Sequence, residues 1–327
     1  MKNTESCPQT ERIKAVIETV KSRLLKDDFP DNKQLVRICK DYDIRLVDSG
    51  GDPHFVHEIL ETSLNLYLSE AEWLKPLDIK NKHEIIARLE YLTSKLPPQS
   101  WRGLEQIRLQ QFSTPPALAY LLLLMLRPEA GKLALEPSAG TGSLAVWLRR
   151  AGCPTEVNEI SERRKLLLEL QNYVPFAVNA EFLDDLLPPS LKPDYVLMNP
   201  PFSASAGRTR AGDSNFGFRH VEAALLRLQP GGRLVALLGA DACLKTDKGK
   251  KFWHRVGREY RVHAFLIVPQ GTFYKYGTTF QTVAVIVSKP EIKNQPNHFK
   301  TQIVELSNLS EMLRFVDDFA ENESLKN

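Results

Sequence analysis

The sequence predicts an α/β protein: an open sheet of parallel strands with crossover helices, entered through a helical N-terminal region. Three observations carry this. From about residue 106, short apolar runs alternate with helix-length segments. Several of those runs end in turn-forming residues such as Pro137-Ser138-Ala139-Gly140 and Asn199-Pro200-Pro201. Before that point the apolar residues fall at helical spacing.

Residues 1–104 read as mostly helical. Ile13, Val16, Ile17, Val20 and Leu24 form one apolar stripe, and Phe55, Val56, Ile59, Leu60 and Leu64 another. Breaks fall at Pro30, at Ser49-Gly50-Gly51-Asp52-Pro53 and at Pro97-Pro98. Two readings stand for this region, a helical cap on the main domain and a substrate-recognition element. In residues 105–290, Pro116–Leu126 reads as a buried helix, Lys132–Leu135 as a strand and Leu144–Arg150 as a helix. Thr155–Val157 is a strand, Glu162–Tyr173 a helix, and Ala177–Ala180 and Tyr195–Met198 are strands. Arg219–Leu228 is a helix stopped by Pro230-Gly231-Gly232. Strand Arg233–Leu238, helix Lys250–Tyr260 and strands Val262–Val268 and Thr282–Val287 complete the series. Residues 291–327 read as an appendage, with a strand near Thr301–Val304 and a helix over Leu309–Phe319.

Length and composition bound the function. The 327 residues suffice for one substantial domain and a smaller attachment, and 43% apolar with 25% charged residues is ordinary for a globular chain. A net charge of +3 does not of itself call for nucleic acid, so such a surface has to be a local patch. Cys7, Cys39, Cys153 and Cys243 have neither metal-ligand nor redox spacing, so no metal is expected. The N-terminus lacks a signal-peptide core, and the apolar run Leu118–Leu126 is about half a membrane span. A cytoplasmic protein without a membrane partner is the expectation.

Chemistry concentrates where strands end, which is where open α/β sheets bind ligands. Leu133–Leu144 is a strand, the acid Glu136, then Ser138, Gly140 and Gly142 leading into a helix. Glycines allow a tight turn and close approach, and the helix start offers free amides. No Lys-Ser or Lys-Thr follows, so this is not a nucleotide-phosphate loop. Glu159, at the end of the next strand, is placed to accept from a ribose diol. Glu181 can accept from an adenine amine, with Phe182 covering the ring. The most informative element is Asn199-Pro200-Pro201-Phe202. The prolines fix the turn, Asn199 supplies an amide oxygen, and the Pro200 carbonyl a second acceptor. Two acceptors on one exocyclic amine hold its hydrogens and aim its lone pair, while Phe202 offers a stacking face.

In this order the motifs resemble the N6-adenine DNA methyltransferases, within the class I methyltransferases that carry an Asn-Pro-Pro-aromatic turn. The resemblance covers about residues 105–290 and implies a Rossmann-like class I sheet with S-adenosyl-L-methionine as cofactor. It implies that Gln111-Phe112-Ser113-Thr114-Pro115-Pro116, with Phe112 and Thr114, packs along the methionine end of the cofactor. Glu136, Ser138, Gly140 and Gly142 match the first cofactor loop. Glu159 matches the ribose acid, Glu181 with Phe182 the adenine-contacting position (the family more often has aspartate there), and Asn199 to Phe202 the catalytic loop. Modification subunits of restriction systems share the catalytic phenylalanine, which makes DNA and a specificity subunit the implied partners. Methyl transfer then needs only alignment of nitrogen, methyl and sulfur, on a base flipped out or unpaired. Nucleic-acid contacts are expected from Arg208 and Arg210 beside the catalytic turn. Lys245, Lys248, Lys250, Lys251, Arg255 and Arg258 read either as phosphate contacts or as a solvated helix face. Phe273, Tyr274 and Tyr276 read either as a wall of the target pocket or as aromatic packing in a turn. His220, His254 and His263 read as surface or helix residues without catalytic work. Two alternatives remain: the same chemistry on RNA or a protein glutamine, and a non-catalytic nucleic-acid-binding subunit.

Overall fold

The computed structural model describes residues 8–44, 54–75, 81–99, 112–201, 216–291 and 301–324. Seven strands form one sheet in the order β2-β1-β3-β4-β6-β5-β7. They are β1 (Ala134–Glu136), β2 (Thr155–Val157), β3 (Tyr195–Met198), β4 (Arg233–Gly239), β5 (Arg261–Ile267), β6 (Thr282–Ser288) and β7 (Gln302–Glu305). Phe176 makes an isolated parallel bridge to Asn158 beside β2. The chain therefore builds outward from β1 through β2, then returns to pair β3 with the other side of β1. That reversal is the topological switch point, where the crevice between diverging loops receives ligands.

Alternate residues of the strands enter two cores, which accounts for their nearly continuous apolar character. Tyr195, Leu197, Val235, Leu237, Ala284 and Ile286 face one core, and Val196, Met198, Leu234, Ala236, Val285 and Val287 face the other. The first core is covered by helices α1 (Pro8–Leu24), α2 (Asn32–Asp41), α3 (Phe55–Glu70), α4 (Lys82–Lys95) and α5 (Pro116–Leu126), and by the later α6 (Ala145–Arg150) and α11 (Leu309–Ser324). The second is covered by α8 (Leu183–Leu186), α9 (Phe216–Arg227) and α10 (Asp247–Glu259). Helix α7 (Glu162–Glu169) follows β2 and lies against α3.

Several elements explain themselves. Helix α5 has proline at its first position and all eleven residues buried, as expected of a helix apolar all round. It stops where Arg127 turns left-handed at φ 51°. Helix α2 opens on a reciprocal capping box between Asp31 and Gln34. Arg227, 1% exposed, donates from Nε to the Leu183 carbonyl, from Nη1 to Pro188 and Leu191, and from Nη2 to Asp184 and Leu187. One side chain thereby fixes the segment that follows Glu181.

The structure corrects the sequence reading in three places. First, β6 runs antiparallel to both β4 and β5. Between β5 and β6 lies only a short 3-10 turn, Tyr274–Tyr276, rather than the helical crossover that a parallel return requires. Second, Ala177–Ala180 is not a strand. The Asn158 side chain takes both the N–H and the carbonyl of Val178, and Asn179 caps a 3-10 turn over Ala180–Phe182. Third, α7 is shorter than expected, because Asn172 adopts φ 60°. At the C-terminus, β7 pairs with β5, and Met312, Leu313 and Val316 of α11 lie in the first core. Among the described residues no helix is long and apolar enough to cross a membrane, and no group of three His, Cys, Asp or Glu side chains is placed to hold a metal.

Candidate active site

Four turns meet at the carboxyl ends of β1, β2 and β3 and along the segment beyond β2. In the loop after β1, Gly140 and Gly142 take φ 57° and 90°, conformations that disfavour a side chain. A Cβ on Gly142 would meet Gln171 and Leu168 at 3.2 Å, so this glycine also lets the loop settle onto α7. The loop is held from its flank: the Ala139 amide donates to the Asn158 carbonyl and Asn158 Nδ2 to the Pro137 carbonyl, both at 2.9 Å. Ser138 is half-buried on the same turn.

Three carboxylates occupy this edge. Glu136 is 2% exposed. Burial pushes its carboxyl well above the usual range, opposed by the Ala145 amide and assisted by Glu159. Its Oε2 has no hydrogen-bond partner. Glu159 accepts from the Gly140 amide at 2.7 Å and from the Ser161 amide at 2.8 Å. Burial raises it as well, against the pull of Arg164 and the two amides. Glu181 stands 3.7 Å from Arg219, and its buried Oε1 has no hydrogen-bond partner. Phe182, next to it, is 50% exposed, which leaves its ring available to a ligand.

At the end of β3, Asn199 is half-buried and Pro200 buried, with Pro201 half-buried beyond it. Asn199 Nδ2 donates to the Phe112 carbonyl at 2.9 Å and to Thr114 Oγ1 at 3.0 Å. Both amide hydrogens are thus committed, and Oδ1 is left as an acceptor. The segment that the sequence assigns to the cofactor therefore grips the residue that it assigns to the methyl acceptor. Phe202, Arg208 and Arg210 lie outside the described residues. Tyr276, by contrast, is 5% exposed and part of the first core, and Phe273 is 3% exposed. For these two, aromatic packing accounts for the turn. Tyr274 alone of the three projects, at 69% exposure. His220 and His263 are buried rather than superficial, His263 bonding Ser288 Oγ at 2.8 Å.

Several side chains around this edge had no signal in the sequence. On α3, Glu58 binds Arg163 at 2.5 Å and Arg164 at 2.7 Å. Glu61 accepts from Ser113 Oγ at 2.6 Å and Thr141 Oγ1 at 2.9 Å, and Asn65 Nδ2 donates to the Thr141 carbonyl at 2.7 Å. Their spacing of three and four puts them on one helix face. In sequence such a face reads as solvated, but here it is buried against the glycine loop.

On the other side of the sheet, the first turns of α9 and α10 enclose a groove of about 340 Å³. Phe218 and Phe252 stack as its floor, with centroids 4.4 Å apart. Arg219, Lys248, Lys251 and Arg255 rim it, and Glu222 pairs with Arg255 at 2.9 Å. The start of α9 lies beside the Asn199–Pro201 turn, since a Cβ on Gly217 would stand 3.6 Å from the Pro201 carbonyl.

The sequence matches no protein-family model and no curated protein. Solved structures do match in fold. A proposed class I S-adenosylmethionine-dependent methyltransferase from Listeria monocytogenes superposes with a TM-score of 0.55 at 17% identity, over 96% of this chain and 97% of its own. A type I restriction-modification methyltransferase subunit from Streptococcus thermophilus superposes with a TM-score of 0.50 at 17% identity, over 92% of this chain and 73% of its own. The fold is the Rossmann-like open sheet of these structures.

Proposed function

We propose that the chain is an S-adenosylmethionine-dependent methyltransferase that acts on adenine N6 in DNA. The observation that carries this reading is the state of Asn199: at the switch-point edge, both its amide hydrogens are taken by Phe112 and Thr114, which leaves an oriented acceptor. The fold is shared with a proposed class I S-adenosylmethionine-dependent methyltransferase and with a restriction-modification methyltransferase subunit.

The residues present fit the cofactor. Glu136 and Glu181 each keep a buried carboxylate oxygen without a hydrogen-bond partner, as a ligand rich in donors requires. Glu136 with Ser138, Gly140 and Gly142 would hold the methionine part together with Phe112 and Thr114. Glu159 would hold the ribose, and Glu181 with Phe182 the adenine. Bound S-adenosylmethionine supplies an activated methyl group on a sulfonium, so no covalent enzyme intermediate is needed. The chain's own residues position the acceptor. Asn199 Oδ1 and the Pro200 carbonyl accept the two hydrogens of the target amine, and these bonds strengthen as positive charge develops on nitrogen. Pro201 stiffens the turn, and Phe202 stacks on the base. Arg208, Arg210, Tyr274 and the groove between α9 and α10 meet the nucleic acid outside the pocket. A partner subunit supplies sequence recognition.

The test is transfer of labelled methyl from S-adenosylmethionine to duplex DNA, with nucleoside analysis and Asn199→Ala as control. N6-methyladenine from the wild type alone is the expected result. Methylation of RNA or of a protein glutamine instead would keep the chemistry and replace the substrate. Absence of cofactor binding would remove the enzyme reading and leave a nucleic-acid-binding subunit.

A further inference from the structure

We propose that Glu61 on α3 is a positioning residue that holds the glycine loop and Asn199 in one register. This rests on the methyltransferase reading for its functional consequence, but not for its geometry. A single carboxylate oxygen, Glu61 Oε2, accepts from Thr141 Oγ1 and from Ser113 Oγ. Thr141 lies between Gly140 and Gly142, at the tip of the proposed cofactor loop. Ser113 lies between the two groups that grip Asn199, the Phe112 carbonyl and Thr114 Oγ1. The other oxygen, Oε1, accepts from Gln99 Nε2 at 2.5 Å. One side chain therefore ties the turn after β1 to the clasp on the turn after β3, and ties both to the end of the N-terminal region.

The surroundings make this joint stiff. Glu61 is 6% exposed. The cavity it shares with Thr114, Ser143 and Tyr276 measures about 10 Å³, near the lower limit for one water. At a carboxylate so little exposed, charge-assisted hydrogen bonds are stronger than in water. Asn65 Nδ2 and Gln171 Nε2 both donate to the Thr141 carbonyl, at 2.7 and 2.9 Å, so the loop tip is held from two further sides. Two glycines in left-handed conformations give the loop freedom to move if these ties are cut. Methyl transfer depends on alignment of donor and acceptor, and a residue that fixes their supports to one another acts on the rate without touching either.

The experiment cuts the joint at three points in the full chain. Hydrogen exchange, which needs no ligand, is read at residues 112–114 and 139–142. In Glu61→Ala both segments should lose protection about 10-fold or more relative to the rest of the chain, the scale of one lost charge-assisted hydrogen bond. Glu61→Gln, whose amide oxygen can still accept from Ser113 and Thr141, should restore most of it. Turnover and cofactor binding then separate the branches. Ser113→Ala should lower kcat about 10-fold with a much smaller loss of cofactor affinity than Thr141→Val, which should weaken cofactor binding by a similar factor of about 10. Equal exchange in Glu61→Ala and wild type, or a uniform rise at all amides, overturns the proposal. So do two branch variants that move kcat and Kd alike. If Glu61→Ala does not fold, the two branch variants decide. A wild type that binds no S-adenosylmethionine defeats the methyltransferase reading, while the exchange result still judges the joint.

Discussion

Asn199 can be an acceptor toward a substrate only while its amide nitrogen is held elsewhere, and Thr114 is half of that hold. Thr114→Val keeps the shape and removes the acceptor, leaving one amide hydrogen unpaired at a half-buried site. We expect kcat to fall about 10-fold and cofactor affinity to weaken with it, since Thr114 also belongs to the proposed cofactor site, and Thr114→Ser to restore both. Equal activity of Thr114→Val and wild type in the methyl-transfer assay would show that the clasp is idle. Such a role was not legible in the sequence. The resemblance assigns the Phe112-Ser113-Thr114 segment to the cofactor, but its grip on Asn199 spans 85 residues of chain and exists only after α5 and β3 have packed. The same holds for Glu159, whose position at a strand end was foreseeable while its bonds to the Gly140 and Ser161 amides were not.

Helix α3 is the element that the sequence misrepresented most. Its apolar stripe is real, but His57, Glu58, Glu61 and Asn65 are also buried. Glu58 lies fully buried between Arg163 and Arg164. Burial works against its charge, yet Arg164, His54 and Arg163 outweigh this and hold its carboxyl far below the usual range. Removing one partner of such a set leaves uncompensated charge, so Glu58→Gln should cost about 3–5 kcal/mol, read as a lowered denaturation midpoint. A loss under 1 kcal/mol would mean that water reaches the site. Removal of residues 1–99 should, by the same logic, destroy cofactor binding rather than alter sequence preference. Helices α9 and α10 pose the opposite question, since Arg219, Lys248, Lys251 and Arg255 face solvent. If the groove between them receives a phosphate backbone, Lys248→Gln with Lys251→Gln should lower the salt slope of DNA binding by about 1.8. Cofactor affinity should stay unchanged. An unaltered slope would return these lysines to the solvated face.

At the scale of the whole molecule, buried titratable groups couple stability to pH. Burial lowers His220 to about 4 from an ordinary 6.5. Between these values the unfolded chain binds a proton that the folded chain refuses, so His220's contribution is complete above pH 6.5 and disappears as pH falls toward 4. His263 follows the same sign, lowered to about 3 by burial and then by Arg261 and Arg233. Glu136 and Glu159 act oppositely, since their raised carboxyls favour the folded state at lower pH. The clean measurement is therefore a difference. Relative to wild type, His220→Leu should gain up to about 1.4 kcal/mol per pH unit as pH falls from 6.5 toward 4. A constant difference across that window would mean that His220 titrates as if exposed. The sequence by itself determined the sheet-and-helix alternation, the bounds of α5 and β3, and the order of the acids and of the Asn-Pro-Pro turn along the chain. These depend on local periodicity, on proline and glycine, and on neighbours a few residues apart. Only the tertiary structure decided the antiparallel β6, the side-chain mimicry of a strand at Asn158, the burial of Tyr276, and the joint at Glu61. Each of these depends on which distant groups share a buried space, and a charged or aromatic residue in sequence has the same appearance whether solvent or another helix will cover it.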